Sequence, residues 1–102
     1  MLLIGICDDE EAARRELNDV VGKSLFQYTD MRFYYYTDGQ EIINEIAKGN
    51  FEPELLLLDI NMPGTDGLAV ANYIRRYNVD VDIIFVTVSL LFFYNTYGNS
   101  MP

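Results

Sequence analysis

The chain has 102 residues, 50% of them apolar, which is one domain near the lower end of the usual size range and enough to bury a core. A net charge of -9 with no basic patch argues against direct binding to nucleic acid, whose phosphates would be repelled. The absence of histidine removes the usual general base and transition-metal ligand, so serine-protease-like and zinc chemistry are excluded; a single cysteine rules out an intrachain disulfide or thiolate metal site.

The first predicted element is a strand over Leu2 to Cys7, a short aliphatic run of the kind buried on both faces, ending in Asp8-Asp9. Cys7 within it reads as a small buried hydrophobe. The chain opens directly on Met1-Leu2-Leu3-Ile4 with no basic region or cleavage site, and no apolar run approaches ~18 residues, so it reads as soluble and cytoplasmic. After Asp9 the pattern turns helical, with Leu17, Val20-Val21, Ser24 or Leu25, and Tyr28 recurring at three- and four-residue spacing. Glu10 and Glu11 fall in the first turn, and Asp8 or Asp9 can serve as its N-cap. Arg14-Arg15 and Arg75-Arg76 read as solvated helix faces.

Met31 to Thr37, with Phe33 and the tyrosines at 34 to 36, predicts a strand at a sheet edge. Asp38-Gly39-Gln40-Glu41 matches a capping box and opens a helix with Ile42, Ile43, Ile46 and Ala47 inward, stopping at Gly49-Asn50. Leu55 to Leu58 is a second buried strand, ending in Asp59. Asn61-Met62-Pro63-Gly64-Thr65-Asp66-Gly67 is a loop, with Asp66 as cap of a helix from Gly67 to about Tyr77 whose inner stripe is Leu68, Ala71 and Ile74. Asp82 to Thr87 is a further strand. Leu90 to Tyr94 fits either a helix start or a strand, and Ser89 to Pro102 stays open. The alternation of strands and helices predicts an α/β fold, a doubly wound parallel sheet covered on both faces.

If the first and third strands are parallel neighbours, their carboxyl ends bring Asp8, Asp9 and Asp59 to one edge, where open α/β sheets bind ligands. Two carboxylates about 4 Å apart repel by on the order of 4 kcal/mol at an effective dielectric of about 20. A shared proton or a hard divalent cation must offset that, and an all-oxygen site favours Mg2+. Each residue also has a plain structural reading: Asp8 and Asp9 as helix caps, Asn61 as a turn former, Thr87 as a strand-end hydroxyl, and the tyrosines as packing. Asp59 has no evident capping role.

Asp8-Asp9 after an apolar strand, Asp59-Ile60-Asn61-Met62-Pro63-Gly64 with Asp66-Gly67 after a second, and Thr87 after a third closely resemble the receiver domain of bacterial two-component response regulators over nearly the whole chain. The run Phe33 to Thr37 and the short Ile83 to Thr87 strand look most like receivers of LytTR-type regulators. The resemblance implies a flavodoxin-like, receiver-like sheet in the order 2-1-3-4, with residues 1–102 as one receiver domain. It makes Asp59 the phosphoacceptor, taking a phosphoryl group from a sensor histidine kinase. Asp9 and Asp59 would bind Mg2+ through side chains and Asn61 through its backbone carbonyl, with Asp8 acting on a metal-bound water; Thr87 would contact a phosphoryl oxygen and serve as the switch. The implied protein is a phosphoacceptor switch, an enzyme at most toward its own phosphorylation and dephosphorylation, controlling a DNA-binding transcription output domain absent from this chain.

The pattern is incomplete at its end. The family places a lysine after a fifth strand, yet the only lysines here are Lys23 and Lys48, neither expected to reach the site. The fifth strand and last helix are expected to be missing or replaced by a partner segment, a C-terminally truncated receiver. That leaves the fourth strand as an open edge, which is expected to self-associate into a homodimer or to be covered by Leu90 to Tyr94. Two other readings remain: a pseudo-receiver that acts as a binding scaffold, and an aspartyl-phosphate phosphohydrolase. The phosphohydrolase is disfavoured because Asn61 stands where it would want a second Asp.

Overall fold

The computed structural model describes residues 1–86 and 91–94. The elements run β1 (Leu2–Cys7), α1 (Glu11–Leu25), β2 (Met31–Tyr36), α2 (Gly39–Ala47), β3 (Leu55–Asp59), α3 (Gly67–Arg76), β4 (Asp82–Val86) and β5 (Leu91–Tyr94). They form one sheet in the order β2-β1-β3-β4-β5. The first four strands are parallel, as the alternation of strands and helices requires, with β2 at the edge.

Strand side chains alternate between the two faces, and each face has its own apolar cluster. On one, Cys7, Leu56, Leu58, Ile83 and Phe85 of the sheet meet Ile42 of α2 and Val70, Ala71 and Ile74 of α3, all buried. On the other, Ile4, Ile6 and Leu57 are packed by Leu17 and Val21 of α1. The chain is therefore wound on both sides of the sheet, as expected.

Side-chain phase departs from expectation in places. In α3 the buried line is Gly67, Val70, Ala71 and Ile74, a helical face that Leu68 lies off; Leu68 is half-exposed and Val70 takes its place. In α2, Ile42 is buried and Ile43 and Ile46 partly so, while Ala47 is exposed. No residue of α1 is fully buried; Leu17, Val21 and Leu25 face inward only in part, and Val20, Ser24 and Tyr28 are exposed. Arg15 is solvated, bonded to Glu11 at 2.8 Å, but Arg14 is half-buried, and Nε and Nη2 of Arg75 are buried.

The caps of α2 and α3 are those predicted. Asp38 accepts from the Glu41 N–H at 2.9 Å, and Asp66 accepts from the Ala69 N–H at 2.8 Å. The box at α2 closes one residue early, because Glu41 Oε1 accepts from the N–H of Thr37 at 3.1 Å rather than from Asp38. Helix α1 differs: its N-cap is Glu10, with no side-chain cap bond, rather than Asp8 or Asp9.

The open edge of β4 is covered by the chain's own Leu91–Tyr94, which pairs antiparallel with it, Val86 opposite Leu91 and Ile83 opposite Tyr94. A fifth strand is thus present, supplied by the chain itself and reversed in direction. Thr87, Leu90 and the expectations for residues 95–102 lie outside the described residues. Proline lacks the N–H a ladder needs, so Phe92→Pro is expected to expose the β4 edge. The measurements are amide exchange, which should speed up across Ile83–Val86, and light scattering, which should show added self-association.

Candidate functional site

The register of β1 against β3 builds the site. Cys7 is opposite Leu58, so the next residue of each strand, Asp8 and Asp59, leaves the sheet at the same level on adjacent strands. A ligand oxygen from each of Asp8, Asp9 and Asp59 lies within 4.8 Å of the others. Asp8 is buried, Asp59 half-buried and Asp9 exposed, so the cluster runs from the sheet edge out to solvent.

Backbone bonds hold these groups from behind. The Asp8 N–H donates to Tyr36 O at 3.1 Å, which continues the β1–β2 ladder one residue past Cys7. Asp8 Oδ1 accepts from the Glu10 N–H at 3.0 Å, and this bond turns the chain into α1. Asp59 Oδ1 accepts from the Asn61 N–H at 3.0 Å in the same kind of turn. Asn61 itself is exposed, and Met62 beside it is buried in the core, where the Cys7 thiol donates to its sulfur at 3.6 Å. Gly64, with φ of 76°, occupies the left-handed region that its loop requires.

Two residues to which the sequence assigned no site role, Gly67 and Arg14, shape the site. Gly67 opens α3 directly against β3: its N–H donates to Ile60 O at 3.2 Å, and a Cβ there would collide with Asp59 O and stand 3.0 Å from Ile60 Cα. Arg14 Nη1 donates to Asp8 O at 2.7 Å. No local spacing marks it, since Arg15 stands in the same four-residue relation to Glu11 and pairs with it in solvent.

Charge is uncomfortable here. Burial pushes the Asp8 carboxyl above its ordinary 3.8, the Glu10 N–H opposes this, and the charges of Asp59 and Asp9 add to it. Burial likewise raises Asp59, against the Asn61 N–H, with Asp9 and Glu10 adding to the rise. Cys7 is pushed up to about 12, first by burial and then by Asp38, Glu41, Asp8 and Asp59, so it stays a thiol. The donor set is all oxygen, carboxylate and close-set, which fits a hard divalent cation such as Mg2+. The lysines are remote: Lys48 caps the far end of α2, and Lys23 is roughly 18 Å along α1 from its start.

A family profile described as the response regulator receiver domain matches residues 4–91. The chain is 32% identical over 88 residues to the transcriptional regulatory protein NatR of Bacillus subtilis, covering 85% of this chain and 35% of that one. It is 34% identical over 96 residues to the sensory transduction protein LytT of Oceanobacillus iheyensis, covering 93% and 35%. The chain thus spans about a third of the length of these curated relatives. Among solved structures it resembles the response regulator protein TrrA of Thermotoga maritima in complex with Mg(2+)-BeF, with a TM-score of 0.67 and 29% identity over 81% of this chain and 66% of that one.

Carboxylates whose folded pKa is raised contribute stability that is full below the ordinary value and lost as pH rises through the raised one. At neutral pH and without a cation the cluster therefore opposes folding. Asp59→Asn is expected to raise the thermal midpoint by several degrees, about 1 kcal/mol, at pH 7 in chelator, and the gain should vanish as pH falls toward 4. Gly67→Ala is expected to cost about 1–3 kcal/mol in urea unfolding, because the added methyl must push α3 off β3.

Proposed function

The chain belongs to the response regulator receiver domain family and is a receiver domain of the two-component type; we propose that Asp59 is its phosphoacceptor and that the domain works as a switch. One observation carries the proposal: Asp8, Asp9 and Asp59, from two separate strand ends, converge within 4.8 Å. The receiver is proposed to comprise residues 1–102, acting in the cytoplasm under a sensor histidine kinase and controlling a DNA-binding output domain outside this stretch. Among the described residues no helix is long and apolar enough to cross a membrane.

In this reading an Asp59 carboxylate oxygen attacks the phosphorus of a phosphohistidine on the kinase. An O–P bond forms, the P–N bond breaks, and the electron pair leaves on the imidazole nitrogen, which takes up a proton. The bond from the Asn61 N–H fixes the attacking carboxylate and favours its ionised form. Asp9 and Asp59 would hold Mg2+ through their carboxylates and Asn61 through its backbone carbonyl, with Asp8 bonded to a water of the ion's shell. Bound there, the ion would cancel charge on the phosphoryl oxygens. That TrrA, 29% identical, was solved in complex with Mg(2+)-BeF supports Mg2+ as the ion. Thr87, next in sequence after β4, is proposed to donate its hydroxyl to a phosphoryl oxygen and to act as the switch residue. The domain would be an enzyme only toward its own phosphorylation and hydrolysis.

A scaffold that no longer accepts phosphate is the competing reading, favoured by the remoteness of Lys23 and Lys48 from the acidic cluster. Incubation with acetyl phosphate and Mg2+ followed by intact mass separates the two. One phosphoryl adduct is expected for the wild type, none for Asp59→Asn, and a strongly reduced amount for Asp9→Ala. No adduct on the wild type would leave the scaffold standing.

A further inference from the structure

The turn that carries Asp8 and Asp9 lacks the usual lock at a helix start. Glu10 occupies the N-cap of α1 without a side-chain cap bond. The Arg14 N–H makes the ordinary first helical bond to Glu10 O at 3.1 Å, and the Arg14 side chain reaches back past it to donate from Nη1 to Asp8 O at 2.7 Å. With the Glu10 N–H on Asp8 Oδ1 at 3.0 Å, this makes a closed circuit through Asp8, Glu10 and Arg14. The bond is charge-assisted and short, among the stronger kinds available to a backbone carbonyl. Arg14 is half-buried and forms one wall of a shallow cleft of about 300 Å3 with Glu11, Arg15, Asn18 and Tyr35. Its neighbour Arg15 makes an exposed pair with Glu11 instead.

We propose that Arg14 is a positioning residue for the cation site: by clamping the Asp8 carbonyl it holds the β1–α1 turn so that the Asp8 and Asp9 carboxylates face Asp59. Arg14 touches neither the ion nor the phosphoryl group and acts through the peptide it holds. This rests on the reading that Asp9 and Asp59 bind a divalent cation.

The clamp and the charge of Arg14 predict opposite outcomes. Considered only as a positive charge near a cation site, Arg14 opposes ion binding, and its removal should tighten it. As a clamp it preorganises the ligands, and its removal should loosen binding, as groups that orient metal ligands do by about 10- to 100-fold.

The experiment is Mn2+ and Mg2+ titration of the ion-free protein, with urea unfolding of each variant alongside. Arg14→Ala and Arg14→Gln are expected to weaken binding about tenfold or more. Arg14→Lys, which keeps a donor and the charge, should recover most of the affinity, and Arg15→Ala should bind like wild type. Affinity in Arg14→Ala equal to or tighter than wild type overturns the proposal. So does a folded Arg14→Lys that remains as weak as Arg14→Gln, or an equal loss in Arg15→Ala. If wild type binds and Asp9→Ala does not, any of these results counts against Arg14 alone; if wild type and Asp9→Ala bind equally, the cation site itself is rejected and the proposal with it.

Discussion

The parallel register of β1 on β3 is the constraint from which the rest follows. Cys7 lies opposite Leu58, so Asp8 and Asp59 emerge side by side whether or not their charges favour it. A slip of one residue would turn every side chain of a strand to the other face. Ile4, Ile6, Leu56, Leu57 and Leu58 are almost wholly buried, so such a slip would remove much of both apolar clusters. Burial of these side chains, each contributing on the order of 2 kcal/mol, outweighs the repulsion between carboxylates that it enforces. The core thus holds the acidic cluster in a state that the isolated groups would avoid: burial first, and the neighbouring charges after it, push Asp8 and Asp59 upward.

The surroundings keep the cluster from relaxing. Met62 anchors the loop after β3 in the core against Cys7, and Gly67 lets α3 start in contact with the backbone of Asp59. Arg14 secures the opposite turn. Backbone N–H groups of Glu10 and Asn61 each occupy one oxygen of a carboxylate. A site fixed in this way would suit the proposed phosphoryl transfer, where position and charge cancellation do most of the work.

At the other side of the sheet the problem is apolar rather than electrostatic. Ile83 and Phe85 are fully buried, so β4 is built for the interior of a sheet, and its outer backbone needs a partner. The antiparallel strand Leu91–Tyr94 supplies one. Because that strand is reversed, Tyr94 sits level with Ile83 at the end of the sheet away from the acidic cluster. The same edge cannot also hold a parallel fifth strand running toward the site.

Much of this was legible in the residues. The apolar runs of β1, β3 and β4, the caps Asp38 and Asp66, and the strand-helix alternation are local or topological signals that pointed to a parallel, doubly wound sheet; the order 2-1-3-4, which brings Asp8, Asp9 and Asp59 together, came from the resemblance of the acidic motifs to receiver domains. What only the tertiary structure decided depends on residues distant in the chain or on exact helical phase. Val70 rather than Leu68 faces the core because the helical face that packs on the sheet is the one carrying Gly67, which lies against the backbone of Asp59. Arg14 turns inward, unlike Arg15, because the Asp8 carbonyl is presented to it by a turn that β1 positions. The direction of β5 was open because a short apolar run can satisfy a bare strand edge either way, and backbone hydrogen bonds carry no sequence information that chooses between them.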